Sequence, residues 1–207
     1  MSVQNTGDLL TGPNFGTPIV VNGQTTALAT GSLTTLARAD HVHTVSNVPV
    51  LLASTTLASD AASYTFSGIP QTYTHLRLLA SVRVATVNTT AYFRINYNNN
   101  SSSTYYSNAV AGSTTETRTA LISGGGQYFA NLFSSLDIVI ADYASSTKGK
   151  SETCVFMLYQ GTAAPGLLDG TTWSNYWNNT SAITSLVLST SNGTIAAGSK
   201  FRLYGLP

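Results

Sequence analysis

The stretch HLRLLASVRV, residues 75–84, decides how the rest of the chain is read. Leu76, Leu78, Ala80, Val82 and Val84 fall on one side, and His75, Arg77, Ser81 and Arg83 on the other. Successive side chains of a strand point to opposite faces, so this alternation predicts a β-strand with one face in a core and the other turned away from it.

The same period recurs outward from this segment. In AYFRINY (91–97), Ala91, Phe93, Ile95 and Tyr97 alternate with Tyr92, Arg94 and Asn96; in LDIVIADY (136–143), Leu136, Ile138 and Ile140 share a side. SETCVFMLYQ (151–160) is apolar on both sides, which predicts a central strand covered by two layers. SAITSLVLST (181–190) and SKFRLYG (199–205) complete the pattern, and NYNNNSSS, SGGG, SSTKGK and TSNGT supply turn residues between the runs. No helical i, i+3, i+4, i+7 spacing of useful length interrupts them. Roughly eight to ten strands separated by such turns predict an all-β fold, a single β-sandwich of jelly-roll kind over residues 49–207.

Residues 1–48 have another texture. Short apolar snippets (Leu9-Leu10, Ile19 to Val21, Leu33, Leu36) lie among Gly, Pro, Asn and Thr, too thin to build a core alone. This segment reads as an extended arm that anchors and trimerises the chain by lying on other surfaces.

Composition restricts function more than it assigns one. Of 207 residues 43% are hydrophobic, enough for a core, yet only 8% are charged, against about 25% in ordinary soluble domains. A hydroxyl- and amide-rich surface with net charge +1 suits a protein that works packed against copies of itself or a larger body. Nine Lys plus Arg against eight Asp plus Glu leave no surplus to neutralise phosphates, so nucleic acid is not an expected partner. The local pair Lys148 and Lys150 reads as a solvated loop. No basic amphipathic stretch and no run of about 18 apolar residues points to a membrane. The start MSVQNTGDLL lacks the charged and apolar regions of a signal peptide, which predicts synthesis in a cytoplasm.

Catalytic constellations are not apparent. Cys154, the single cysteine, sits in an apolar run and reads as a buried, inert thiol. His75 reads as a surface or partner-facing imidazole, and Asp137 and Asp142 as the solvated ends of an apolar strand. SGGGQ (123–127) lacks the lysine and helix of a phosphate loop and reads as a turn. No enzyme is expected.

Two clusters carry binding chemistry. GTTWSNYWNNTSA (170–182) gathers Trp173, Tyr176 and Trp177 among Asn and Ser. Aromatic faces with amides nearby suit a sugar, the rings covering its C–H face and the amides meeting its hydroxyls; the same aromatics would equally plug one end of the sandwich or a subunit interface. His41 and His43, at i and i+2, project from one side of an extended strand. Three parallel copies would bring six imidazoles together, a set suited to an octahedral transition metal such as iron, with Asp40 as an orienting neighbour. A metal-free packing of the imidazoles in a subunit junction is the alternative.

The segment TTLARADHVHT (34–44) resembles the SRxDHxH segment of tail-fibre and related surface proteins of tailed bacteriophages. The stretches YTFSGIPQTYTHLRLLASVR (64–83) and AITSLVLSTSNGTIAAGSKFRLYGLP (182–207) resemble a phage virion domain. The resemblance implies a homotrimer at the virion surface, attached to other virion proteins through the arm. The sandwich would then project for attachment to a host-surface glycan, or serve as a capsid decoration. Fibre segments of this type carry several histidine pairs and frequent proline after them; here there is one pair followed by Thr44, which argues against a long iron-threaded fibre and leaves a short fibre or a capsid decoration.

Overall fold

Alternation in these segments is realised as strands throughout the folded chain. The computed structural model describes residues 20–21, 24–25, 48–86, 90–102, 104–107, 110–114, 117–123, 131–160 and 167–207. The chain divides into two units, Met1–Ser46 and Asn47–Pro207. In the first, β1 (Val20–Val21) pairs antiparallel with β2 (Gln24–Thr25), a short hairpin within the segment expected to be extended; its other residues, His41 and His43 included, lie outside those described.

In the second unit the strands are β3 (Val50–Thr56), β4 (Ser63–Phe66), β5 (His75–Val82), β6 (Thr90–Tyr97), β7 (Tyr105–Ser107), β8 (Val110–Thr114), β9 (Thr117–Ser123), β10 (Ser134–Ile140), β11 (Lys150–Gln160), β12 (Leu167–Trp177), β13 (Leu186–Thr190) and β14 (Lys200–Leu206). They form an eight-stranded sheet, β3-β14-β5-β10-β11-β12-β7-β8, and a four-stranded sheet, β4-β13-β6-β9. The all-β sandwich expected from the sequence is therefore present, with more strands than the alternation alone predicted. Its wiring is a long antiparallel ribbon folded over on itself. β7 pairs β8, β6 pairs β9, β5 pairs β10, β4 pairs β13 and β3 pairs β14, each pair nested inside the next. Successive pairs alternate between the two sheets, which gives the doubly wound order of a jelly roll. The β11–β12 hairpin is an outgrowth of this ribbon, inserted between β10 and β7 in the large sheet.

The core fills the space between the sheets. Leu76, Leu78, Ala80, Val82 and Val84 are all buried, as are Ala91, Phe93, Ile95 and Tyr97 from the facing sheet and Leu136, Ile138 and Ile140 from β10. Each fully buried Leu, Ile or Phe among them contributes about 1.5–3 kcal/mol relative to an exposed side chain. Phe201 stacks between Tyr64 and Phe93, with ring centroids 5.9 and 6.1 Å away. Where β14 crosses Tyr73, Gly205 is required: a Cβ there would fall inside the root of the Tyr73 ring. Asn98, in a left-handed turn after β6 (φ 55°), accepts from the Thr184 and Ser185 amides at 2.7 and 3.1 Å and donates to the Ala182 carbonyl at 2.8 Å. One side chain thus ties that turn to the segment leading into β13.

Three expectations need correction. β11 lies in the middle of the large sheet, but only one of its faces is covered: Glu152, Cys154 and Phe156 point inward, while Val155 and Met157 are 53% and 55% exposed. Asp137 does not end a strand; it sits within β10 and accepts from Arg77 Nε at 2.9 Å and Nη2 at 2.5 Å. Of the lysine pair, Lys148 is exposed and bound to Asp142 at 2.9 Å, but Lys150 is buried. Its ammonium donates to the carbonyls of Ser145, Lys148 and Thr180 at 2.9, 2.6 and 3.2 Å. Those bonds compensate the desolvation that pushes the Lys150 pKa down.

Replacing Lys150 by Met strands three carbonyls beside a sheet end. We expect Lys150→Met to lower the unfolding free energy by about 2–4 kcal/mol in urea denaturation, while Lys148→Met leaves the midpoint where it was.

Candidate functional site

Strand periodicity distributes the aromatic cluster of β12 between two environments. Trp173, Asn175 and Trp177 point toward the interior, Ser174 and Tyr176 away from it. Trp177 is 1% exposed, stacked on Tyr105 with centroids 6.0 Å apart and edge-on to Tyr97 at 5.3 Å, and its indole N–H donates to Thr104 Oγ1 at 3.1 Å. Trp173 is half-buried, edge-on to Phe156 at 5.1 Å and tilted against Tyr92 at 5.9 Å. The three residues therefore do not form one sugar-binding patch. Trp177 is a core residue that closes one end of the sandwich, the alternative the sequence had left open.

The interior end is also polar. Glu152, 2% exposed, accepts from the Tyr97 hydroxyl and from Asn175 Nδ2, the latter at 2.7 Å. Burial, and then the adjacent Glu152 charge, push the Tyr97 phenol well above its ordinary pKa, so it remains a donor. Cys154 is fully buried, and burial pushes its thiol up as well, which agrees with an inert side chain.

Tyr176 is the most exposed of the three, and the strand pairing gives it a neighbour that the sequence did not single out. Tyr106 on β7 stands directly across from it. The two rings lie 6.4 Å apart at a tilt of 38°, exposed by 42% and 44%. Tyr105 and Tyr106 are adjacent in sequence, so period two sends one ring into the core and the other outward; knowing that β7 pairs β12 was needed to join Tyr106 to Tyr176.

The Tyr176 ring rests on backbone. A Cβ on Gly149 would occupy the space of its phenol, so the close approach depends on glycine there. The turn before Gly149 is fixed in several ways: Ser145 Oγ accepts from the amides of Thr147 and Lys148 at 3.2 and 3.1 Å, and Lys150 binds from beneath. Lys148 beside Asp142 holds that carboxyl below its usual range. Asp142 also donates its backbone amide to His75 Nδ1 at 3.0 Å. Ser151 lies across from Tyr176, and Ser174 precedes it on the same face. The result is a rigid pair of aromatic faces flanked by hydroxyls and, among the described residues, by no unbalanced charge, a surface for a neutral polyhydroxylated ring.

Among the described residues no group of three or more His, Cys, Asp and Glu gathers as a metal site, and no helix is long and apolar enough to cross a membrane. His41 and His43 fall outside the described residues. No family model and no curated protein matches this chain.

The two aromatic environments predict opposite costs. Trp177→Ala should lose about 3–5 kcal/mol of stability through the cavity it opens, whereas Tyr176→Ala should stay within about 0.5 kcal/mol of the parent. Paired urea titrations measure both.

Proposed function

We propose that this chain is a non-enzymatic structural protein of a tailed bacteriophage. In this reading it is a homotrimeric short tail fibre or receptor-binding protein at the virion surface. Residues 1–48 anchor it to other virion proteins, and the sandwich is displayed toward host-surface glycan. The exposed Tyr106–Tyr176 pair, set rigidly over Gly149 among serine hydroxyls, carries the glycan part of this reading. It replaces the contact expected from Trp173, Tyr176 and Trp177 together.

Three further observations support it. The segment around Asp40, His41 and His43 resembles the fibre motif. The low-charge surface suits an assembled particle. The acids whose side chains are described are all engaged in bonds within the fold: Asp60 with the Ala197 amide, Asp137 with Arg77, Asp142 with Lys148 and Glu152 with Tyr97 and Asn175. That arrangement favours display and adhesion over acid–base chemistry.

In this proposal His41 and His43 of three copies supply the ligands for a transition metal such as iron. Elemental analysis of the purified trimer should then find about one such metal per three chains; metal-free trimers of undiminished stability would retire that part.

For the glycan contact, the double variant Tyr106→Ala/Tyr176→Ala should lose about tenfold or more in glycan-array binding and host-cell adsorption, with melting unchanged. Parental binding by the variant removes the tyrosine site. Particles lacking the chain that adsorb normally, but fail under heat or osmotic shock, would instead make it a capsid decoration.

A further inference from the structure

Asn-Gly occurs twice in the sequence, at Asn22–Gly23 and at Asn192–Gly193. The second lies in TSNGT, read from the sequence as a turn, and forms an exposed bend between β13 and β14. β13 begins beside Tyr97 and ends beside Phe93, so this bend is at the end of the sandwich away from Trp177.

The fold fixes glycine at position 193. Its φ is 75°, and a Cβ there would fall on Thr86 Oγ1 and press on Val84, so a larger residue cannot enter unless Thr86 moves. The missing Cβ also leaves the Gly193 amide nitrogen unshielded, and that N–H donates to no acceptor among the described residues. Thr190 holds the opposite end of the same peptide unit. Its hydroxyl is shared between two carbonyls, donating to Asn192 O at 3.3 Å and to Gly193 O at 2.9 Å.

We infer that this bend is a self-modifying site, in which Asn192 is converted to aspartate and isoaspartate with the help of Thr190. Hydroxide removes the Gly193 N–H proton, and amide resonance spreads the resulting negative charge onto Asn192 O. The Thr190 hydroxyl is bonded to that oxygen and stabilises the anion, as a donor aimed at a developing oxyanion does. The nitrogen then attacks Asn192 Cγ. A new N–Cγ bond closes a five-membered imide, the bond from Cγ to the side-chain nitrogen breaks, and that nitrogen takes up a proton from water and leaves as ammonia. Water next adds to one imide carbonyl and opens the ring. Opening at Cγ gives aspartate; opening at the main-chain carbonyl gives isoaspartate. Water is the only other reactant, and nothing is oxidised or reduced.

Either product exchanges an amide for a carboxylate. The chain has a formal net charge of +1, so one such event cancels it, and a surface without net charge associates more readily. Isoaspartate in addition lengthens the main chain by a methylene within a segment pinned on both sides: the Ser191 amide donates to Tyr92 O at 2.9 Å and the Ala85 amide to Thr194 O at 2.8 Å. This inference goes beyond the virion reading proposed above and does not depend on it.

Peptide mapping by mass spectrometry, on the native full chain incubated at mildly alkaline pH, tests it. Asn192 should gain the mass difference between an amide and an acid, at a rate that rises in proportion to hydroxide, with fragment ions assigning the change to Asn192 and not to Asn22. Isoelectric focusing should show the same fraction as a new acidic form. Thr190→Val should slow the conversion about fivefold with far-UV dichroism unchanged, and Asn192→Gln, which would have to close a larger ring, should keep the charge of the unconverted parent at this position. An Asn192 that stays an amide in the native chain, while it converts in urea, overturns the site. Conversion of Thr190→Val at the parental rate overturns the part assigned to the hydroxyl.

Discussion

Nested antiparallel pairing is the constraint on which the rest of this domain depends. Each strand of the ribbon takes as partner the strand that mirrors it about the β7–β8 turn, from that hairpin outward to β3 and β14. The hydrogen-bond ladder fixes register, and register fixes which side chains enter the core. A slip of one residue between β5 and β10 would turn Leu76, Leu78 and Ala80 outward and bring Arg77 and Leu79 in. Burial and pairing therefore enforce each other along the whole ribbon.

Against this frame the buried polar groups at the ends of β11 and β12 have a clear place. Lys150 and Glu152 enter the interior near the end of the sandwich, and neither is left unsatisfied: the first is bound by three carbonyls from two separate loops, the second by a phenol and an amide. Trp177, Tyr105 and Tyr97 pack alongside. Charged groups held this way define one arrangement of the loops around them, because any other leaves a buried charge uncompensated. The same fixation keeps Gly149 beneath the Tyr176 ring, so interior chemistry sets the geometry of a surface feature.

Much of the fold was legible in the sequence wherever one face was apolar and the other polar. β5, β6 and β10 declared both their type and their inward residues, since period two is visible only when the faces differ. β11 was misread for the same reason: Val155 and Met157 on the open face look like core residues when no partner layer can be seen. Lys150 was misread because the carbonyls that satisfy it come from residues 145, 148 and 180, a convergence that only the tertiary structure creates. The candidate site was legible in part. Tyr176 was visible as an aromatic among amides, but its separation from Trp177 follows from strand geometry, and its companionship with Tyr106 depends on a pairing across some seventy residues of chain.

The nesting also fixes the order in which the domain can be finished during synthesis. The β7–β8 hairpin can zip as soon as it is made, whereas β3, the first strand of the domain, has to wait for β14, the last. Until then both edges of its chargeless stretch VLLASTT are free to capture a stray strand from a neighbouring nascent chain. Long-range pairing of this kind is slow to form. Translation from crowded polysomes therefore favours entanglement between copies, and the yield of native protein should be governed by how quickly the final strand arrives.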